Sequence, residues 1–240
     1  MKEELQGIKD PRRTIYGNIR HKLEDIVIIG LCSIISCGED FIDMEEFGKD
    51  REDWLRGFLE LPNGIPDSDT FRRVYERLDS KYLSKALNNW LNAAGNAGGR
   101  SIGIDGKTIR GSANIDHKAY HVVSAWVNEN SITLGEIVTD EHSNEITAIS
   151  SFDTTAENFC KLIRGHWSIE NQLHWVLDVT LREDASKARK DNSPLNLNVL
   201  RKTAANLLKA VDVGYLLSIR KKMMKAARDP DFLETLLFKK

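Results

Sequence analysis

The chain changes its hydrophobic period at Gly95-Asn96-Ala97-Gly98-Gly99, and this constrains its fold more than any other feature. Before that glycine-rich break, apolar residues recur at helical spacing. After it, runs rich in Val, Ile, Tyr and Trp read as strands, and the later residues return to the helical period. The 240 residues suffice for one large domain or two small ones, and 41% are hydrophobic, enough to bury a core. The break is therefore the predicted boundary between an all-α unit, residues 1–94, and an α/β unit, residues 95–240.

In the first unit, His21 to Cys37 is strongly apolar and reads as a buried helix. It is too short to cross a bilayer. Asp43 to Phe58 carries Met44, Phe47, Trp54, Leu55 and Phe58 at mostly helical spacing. Leu61-Pro62-Asn63-Gly64-Ile65-Pro66 is a turn, after which Asp67 or Ser68 caps a helix through Leu78. A fourth helix runs from about Ser80 to Ala94. In the second unit, Arg100–Arg110, Tyr120–Val127 and Ile132–Val138 are predicted strands, with Asn128–Ser131 as a hairpin turn between the last two. Thr154 and Glu157 form a capping box for the next helix. Ser193 as N-cap and Pro194 in the first turn open a helix to about Val211. A last helix spans roughly Tyr215 to Arg228, and a short apolar end follows at Phe232 to Phe238.

Several classes are excluded. There is no phosphate-binding Gly-x-x-x-x-Gly-Lys loop, no Gly-x-Gly-x-x-Gly, no Cys-x-x-Cys and no His-Glu-x-x-His. Cys32, Cys37 and Cys160 are few, odd in number and without metal-ligand spacing, which fits a reduced cytoplasmic protein. The first ten residues hold no apolar stretch like a signal peptide, and no membrane partner is expected. The net charge of −2 hides an asymmetry. Residues 182–240 carry 14 Lys/Arg and 7 Asp/Glu, a net of +7, against −9 for the rest. That suggests a polyanionic partner for the basic end, with a solvated pair of amphipathic helices as the plain alternative.

Two carboxylates stand out. Asp105 follows Ile102 and Ile104 in a predicted strand, where it could face a metal, although Asp-Gly is also a common hairpin turn. Glu170 lies in a predicted helix, where His166, Glu170 and His174 recur at i, i+4 and i+8 on one face. At most two adjacent members of that row could reach one ion. The ordinary reading is a solvated polar stripe beside core residues Ile163, Trp167, Leu173 and Val176. Asp178, Glu183 and Asp184 follow, either as groups supporting a site or as an acidic helix end. Arg182, Lys187, Arg189 and Lys190 interleave with them and suit phosphate contacts.

Taken in order, these motifs resemble the H-repeat-associated family of insertion-sequence transposases. The resemblance rests on Ile8-Lys9-Asp10-Pro11-Arg12-Arg13, His21 to Ile26, Asn63-Gly64-Ile65-Pro66-Asp67-Ser68-Asp69-Thr70-Phe71, Ile104-Asp105-Gly106-Lys107-Thr108-Ile109-Arg110, Thr139-Asp140-Glu141-His142-Ser143-Asn144-Glu145-Ile146, and Arg164-Gly165-His166-Trp167-Ser168-Ile169-Glu170-Asn171 with Leu173-His174-Trp175 and Leu177-Asp178-Val179. It covers nearly the whole chain. It implies an α/β protein: an N-terminal all-α domain, then an RNase H-like mixed-sheet core with C-terminal helices and a triad of three acids. Asp105 and Glu170 are the first and last of those acids, catalytic residues and ligands of Mg²⁺ or Mn²⁺, with His174 and Asp178 behind them. Lys107, Arg110, Arg164, His166, Lys187, Arg189 and Lys190 are the implied DNA contacts. The implied partners are the DNA ends of the element and other subunits, as a homo-oligomer or a mixed oligomer with a full-length relative.

The chain departs from the family pattern near residue 150. The segment that should carry the middle acid is absent, so Asp105 and Glu170 stand only 65 positions apart. The missing block is on the order of a hundred residues, the size of a small domain. The resemblance therefore implies an incomplete core. The expected function is a DNA-binding transposase relative with impaired phosphoryl transfer or, alternatively, a non-enzymatic remnant that binds DNA or modulates a full-length relative.

Overall fold

The computed structural model describes residues 1–12, 19–93, 102–109, 112–113, 119–127, 132–139 and 173–238. Among the described residues six helices precede the sheet: α1 Lys2–Gln6, α2 Leu23–Ile35, α3 Phe41–Asp50, α4 Glu52–Arg56, α5 Ser68–Arg77 and α6 Ser80–Ala93. The strands are β1 Ile102–Thr108, β2 His121–Val127 and β3 Ile132–Thr139. A π-helical turn at Val176–Thr180 follows, then α7 Ser193–Ala210, α8 Ile219–Arg228 and α9 Pro230–Phe238.

α2 is the axis of the N-terminal half. Its Ile and Val residues are indifferent helix formers, but every residue from Ile26 to Ile35 is buried, and burial decides the matter. Gly30 lies where Tyr75 crosses: a Cβ there would stand 2.4 Å from the tyrosine hydroxyl oxygen. α5 begins where the Asp67 side chain accepts from the Thr70 amide at 2.6 Å, the cap that the sequence predicts.

The predicted helix over Asp43–Phe58 is two helices. α3 starts earlier because Asp40 and Asp43 form a reciprocal capping box. It stops at Arg51, whose guanidinium donates to the Ala227 carbonyl of α8 at 2.7 Å.

α7 is the second axis, buried from Ser193 to Leu208 on all sides. It packs against α2, α5 and α6, so helices on either side of the sheet share one core. Asn196 fastens them: its side-chain amide donates to the carbonyls of Tyr75 (2.7 Å) and Leu78 (2.8 Å), satisfying the orphan end of α5.

The sheet runs β1-β2-β3, with both pairs antiparallel and an irregularity between Ala125 and Trp126. The chain is thus mostly helical with a small antiparallel sheet. The mixed sheet expected from the sequence is not what the described strands form, since no parallel neighbour occurs among them. Asp105-Gly106 corrects the hairpin alternative: it lies inside β1, opposite Ser124 and Val123. The helix expected from Tyr215 begins at Ile219 instead, where the Ser218 side chain caps it. The apolar end is a helix in its own right, α9. The turn at 128–131 and the capping box at Thr154 and Glu157 lie outside the described residues.

Candidate active site

β1 sets the frame of the site. Asp105 occupies the register position opposite Ser124, and Lys107 the position opposite Val122. Two residues apart in a strand, Asp105 and Lys107 belong to the same face. α7 lies against that face. Lys202 of α7 donates to the Ser124 hydroxyl at 2.8 Å, and both residues are buried.

Lys107 links the strand to the segment that follows the π-helical turn. Its ammonium bridges the carboxylates of Asp178 and Glu183, the latter at 2.5 Å. Glu183 is buried, and its second oxygen accepts from the Asn198 amide at 2.6 Å. Burial alone would raise the Glu183 pKa, but Lys107, Arg201 and Asn198 outweigh it and hold it below the usual carboxylate value. Burial alone would lower Lys107, and the two carboxylates outweigh that, so its pKa stands above that of free lysine. Asp178 goes the other way: burial raises its pKa and Lys107 only partly offsets the rise. Arg201 completes the cluster by donating to the carbonyls of Leu181 (3.2 Å) and Glu39 (3.3 Å).

The charges here are thus paired and bonded, as buried charges must be. The arrangement fixes β1, the π-helical turn and α7 to one another. π-helical turns often occur at functional sites. His174, four residues before Asp178, is buried on this segment, and Leu173 and Val176 are core residues as expected.

The basic residues after the turn line a second feature, a cleft of about 740 Å³ against α3 and α5. Lys187, Arg189 and Lys190 all line it. Part of their charge is already matched: Lys190 pairs with Glu76 at 3.1 Å and Arg182 with Glu39 at 3.3 Å. Arg182 (φ 52°) and Asp191 (φ 48°) bracket this loop in left-handed conformations, an uncommon backbone for an arginine.

The structure brings Lys107 together with Asp178, and Lys187, Arg189 and Lys190 together at the cleft, while Asp105 is placed by its backbone alone, in β1 two residues before Lys107. Glu170, Arg110, Arg164 and His166 lie outside the described residues. Sequence reading missed Lys202, Asn198 and Arg201. Their signal was present as a polar stripe at i, i+3 and i+4 on α7, within a helix read only from its Ser193-Pro194 start. Among the described residues no group of three or more His, Cys, Asp and Glu is placed to hold a metal ion. Asp178 and Glu183, the nearest such pair, are already held by the Lys107 ammonium.

The sequence that builds this sheet and its helices matches two family models. The family "Transposase DDE domain" matches residues 55–207, and "DDE_Tnp_1-associated" matches residues 2–91. The chain belongs to the DDE transposase family. It is 26% identical to "H repeat-associated putative transposase YhhI" of Escherichia coli (strain K12), over 98% of this chain and 97% of that protein. It is 26% identical to "Putative transposase YncI" of Escherichia coli O157:H7, over 92% of this chain and 90% of that protein. A third relative, "H repeat-associated putative transposase YbfD" of Escherichia coli (strain K12), is 35% identical over 61% of this chain and 58% of its own length. No solved structure matches.

The first of these alignments has 368 positions against the 240 residues of this chain, a difference of 128. At least that many positions of the relative therefore lack a counterpart here. Both proteins are covered almost end to end, so the unmatched positions are internal. Transposases of this family act on DNA and as a class use divalent metal ions. No helix among the described residues is long and apolar enough to cross a membrane.

Proposed function

We propose that this chain is a DNA-binding member of an insertion-sequence transposase family whose phosphoryl-transfer centre is incomplete. The observation that carries this is the internal loss of at least 128 positions relative to a protein matched at both ends. The loss falls between Asp105 and Glu170, where the middle acid of the triad belongs, and leaves an RNase H-like core short of strands. Two domains, 1–94 and 95–240, remain as the proposed units.

In this reading Asp105 and Glu170 are the remaining catalytic acids, and their hard oxygen donors suit Mg²⁺ or Mn²⁺. A bound pair of ions would activate the attacking oxygen and stabilise the leaving one. Lys107 does not touch the reacting atoms. It positions β1 against the turn through Asp178 and Glu183. Because Asp178 and Glu183 are committed to that ammonium, neither is a ready replacement for the lost acid. Lys187, Arg189 and Lys190 contact phosphates from the cleft, with Arg110, Arg164 and His166 as further DNA contacts. A cytoplasmic location goes with this reading.

A second reading is a non-enzymatic subunit that assembles with a full-length relative. It is favoured by the sheet, in which β1 and β3 have one strand neighbour each among the described strands, and open edges invite pairing with another chain. The deciding experiment is nicking of supercoiled plasmid with Mg²⁺ or Mn²⁺ beside Asp105→Asn and Glu170→Gln. Cleavage no higher than in either variant, by protein that shifts DNA in a gel, is the expected result. Cleavage that both variants lose overturns the incomplete centre, and failure to bind any DNA overturns the DNA reading.

A further inference from the structure

The loop between α7 and α8 exposes apolar side chains that the fold does not use. Leu216 is 102% exposed and Tyr215 62%. Leaving such groups in water forgoes their burial, yet the loop is held firmly at both ends. Lys222 donates to the carbonyls of Leu208 and Val211, both at 2.8 Å, tying α8 to the last turn of α7. The Gly214 amide donates to Asp212 at 2.8 Å, and Gly214 takes a φ of +73°, which makes the sharp turn that presents Tyr215. Ser218 then caps α8.

α8 itself, Ile-Arg-Lys-Lys-Met-Met-Lys-Ala-Ala-Arg, carries five cations and no acid. Met223 and Ala226 face the core, while Arg220, Lys221, Met224 and Arg228 are exposed. Among the described residues none of Arg220, Lys221 and Arg228 has an ion-pair partner. The neighbouring acids are engaged elsewhere, Asp212 by Gly214 and Asp229 by the Phe232 amide at 3.0 Å. Arg220 and Arg228 stand about 12 Å apart along the helix at 1.5 Å per residue, the order of a major-groove width.

We propose that the Tyr215–Leu216 tip and the exposed face of α8 form a contact surface for duplex DNA, in which Arg220, Lys221 and Arg228 bind phosphates and the tip packs against a base step. The proposal rests on the DNA reading above and adds a place to it, away from Asp105. Two apolar side chains are too few for the core of a protein interface, which needs about 800 Å² per partner. They are the size of the wedges that DNA-bending proteins press between bases. An anionic membrane is the competing occupant of a basic helix beside an apolar tip.

The test uses the full chain and short duplexes carrying 2-aminopurine, with affinity followed across NaCl concentrations. Arg220→Gln with Lys221→Gln and Arg228→Gln should weaken binding and lower the log–log salt slope by about 2.7, or 0.9 for each of three phosphates. Tyr215→Ser with Leu216→Ser should keep the slope and abolish the rise in 2-aminopurine fluorescence. Lys221→Glu alone, a single exposed change, guards against misfolding of the multiple variants and should also weaken binding. Wild-type binding that none of these substitutions alters overturns this surface and leaves the DNA reading standing. Failure of the wild type to bind any duplex overturns both. Binding to phosphatidylserine vesicles through these residues, with duplex affinity unaffected by their loss, overturns the proposal in favour of a membrane.

Discussion

The Lys107 ammonium lies 2.5 Å from Glu183 Oε2, and the Glu183 side chain is 1% exposed. Lys107 stands two residues after Asp105 in β1 and Glu183 just beyond the π-helical turn, so this one pair joins β1 to the segment that follows the turn. Removing one partner of a buried pair costs about 3–5 kcal/mol, because the other charge is left desolvated. Lys107→Met should therefore lower the melting temperature by about 6–20 °C, at 2–4 °C per kcal/mol for a chain of this size. A melt within a degree of wild type would show that the pair does not hold the two segments together.

The same pair predicts a pH dependence. The Glu183 pKa is held below its ordinary 4.5, so its stabilisation is fully present above that value and is lost as pH falls through the folded pKa. The Lys107 pKa is raised above 10.5, so its stabilisation is fully present below that value and is lost as pH climbs through the folded pKa. The contribution of the pair is flat across neutral pH and fails at both extremes. In Lys107→Met, Glu183 loses the ammonium that holds its pKa down, so the variant should lose most stability at neutral pH and regain part of the difference under acid. Urea titrations across pH measure this, and a difference independent of pH would refute it.

Gly30→Ala tests the helix crossing at the centre of the core. In an exposed helix the change gains about 1 kcal/mol of propensity. Here the new Cβ would meet the Tyr75 hydroxyl at 2.4 Å and the Met44 sulfur at 3.3 Å, and overpacking a tight core costs about 1–3 kcal/mol. The clash should win, giving net destabilisation of up to about 2 kcal/mol in denaturant. A variant more stable than wild type would mean that Tyr75 moves aside without loss.

Lys209 near the end of α7 offers a second titration with the opposite direction. Burial lowers its pKa from 10.5 to about 7. A lowered lysine pKa means that the folded state resists protonation, so Lys209 costs stability fully below about pH 7 and the cost fades as pH rises toward 10.5. Lys209→Met should stabilise the protein at pH 6 more than at pH 10, as read by thermal melts. An equal effect at both would place the ammonium in water.

The helical half was legible because its signals are local. The Asp67 cap, Pro194 in the first turn of α7 and the apolar run from Ile26 each act within a few residues, although the N-cap of α7 is Asn192 and not the expected Ser193. The split at Arg51 was not legible, since the partner of Arg51 is the Ala227 carbonyl, 176 positions away. Asp105-Gly106 shows the same limit from the other side. Two residues alone favour a turn, and only pairing with Ser124 and Val123 makes them strand. Of the ion-pair network, the sequence singles out Lys107, Asp178 and Glu183, without their pairing. The polar stripe Asn198, Arg201 and Lys202 shows its purpose only once α7 is docked against the sheet and the segment after the π-helical turn, a relation between segments that share no local signal.

The incomplete centre yields the most direct prediction. If the internal loss alone disables chemistry, inserting the corresponding block of YhhI near residue 150 should restore metal-dependent nicking, since the block would return the missing acid and the strands that hold it. The restored activity should vanish in Asp105→Asn and in Glu170→Gln, because two metal ions need all three acids. Lys107→Met in the same chimera should lower the rate at saturating metal while leaving the metal concentration for half-maximal activity unchanged, as expected of a residue that orients a strand without ligating an ion. A raised metal requirement would instead make Lys107 part of the metal site's own balance of charge. A soluble, folded chimera without nicking would mean that the loss is accompanied by further damage, with the described network around Lys107 and Glu183 the first place to look for it.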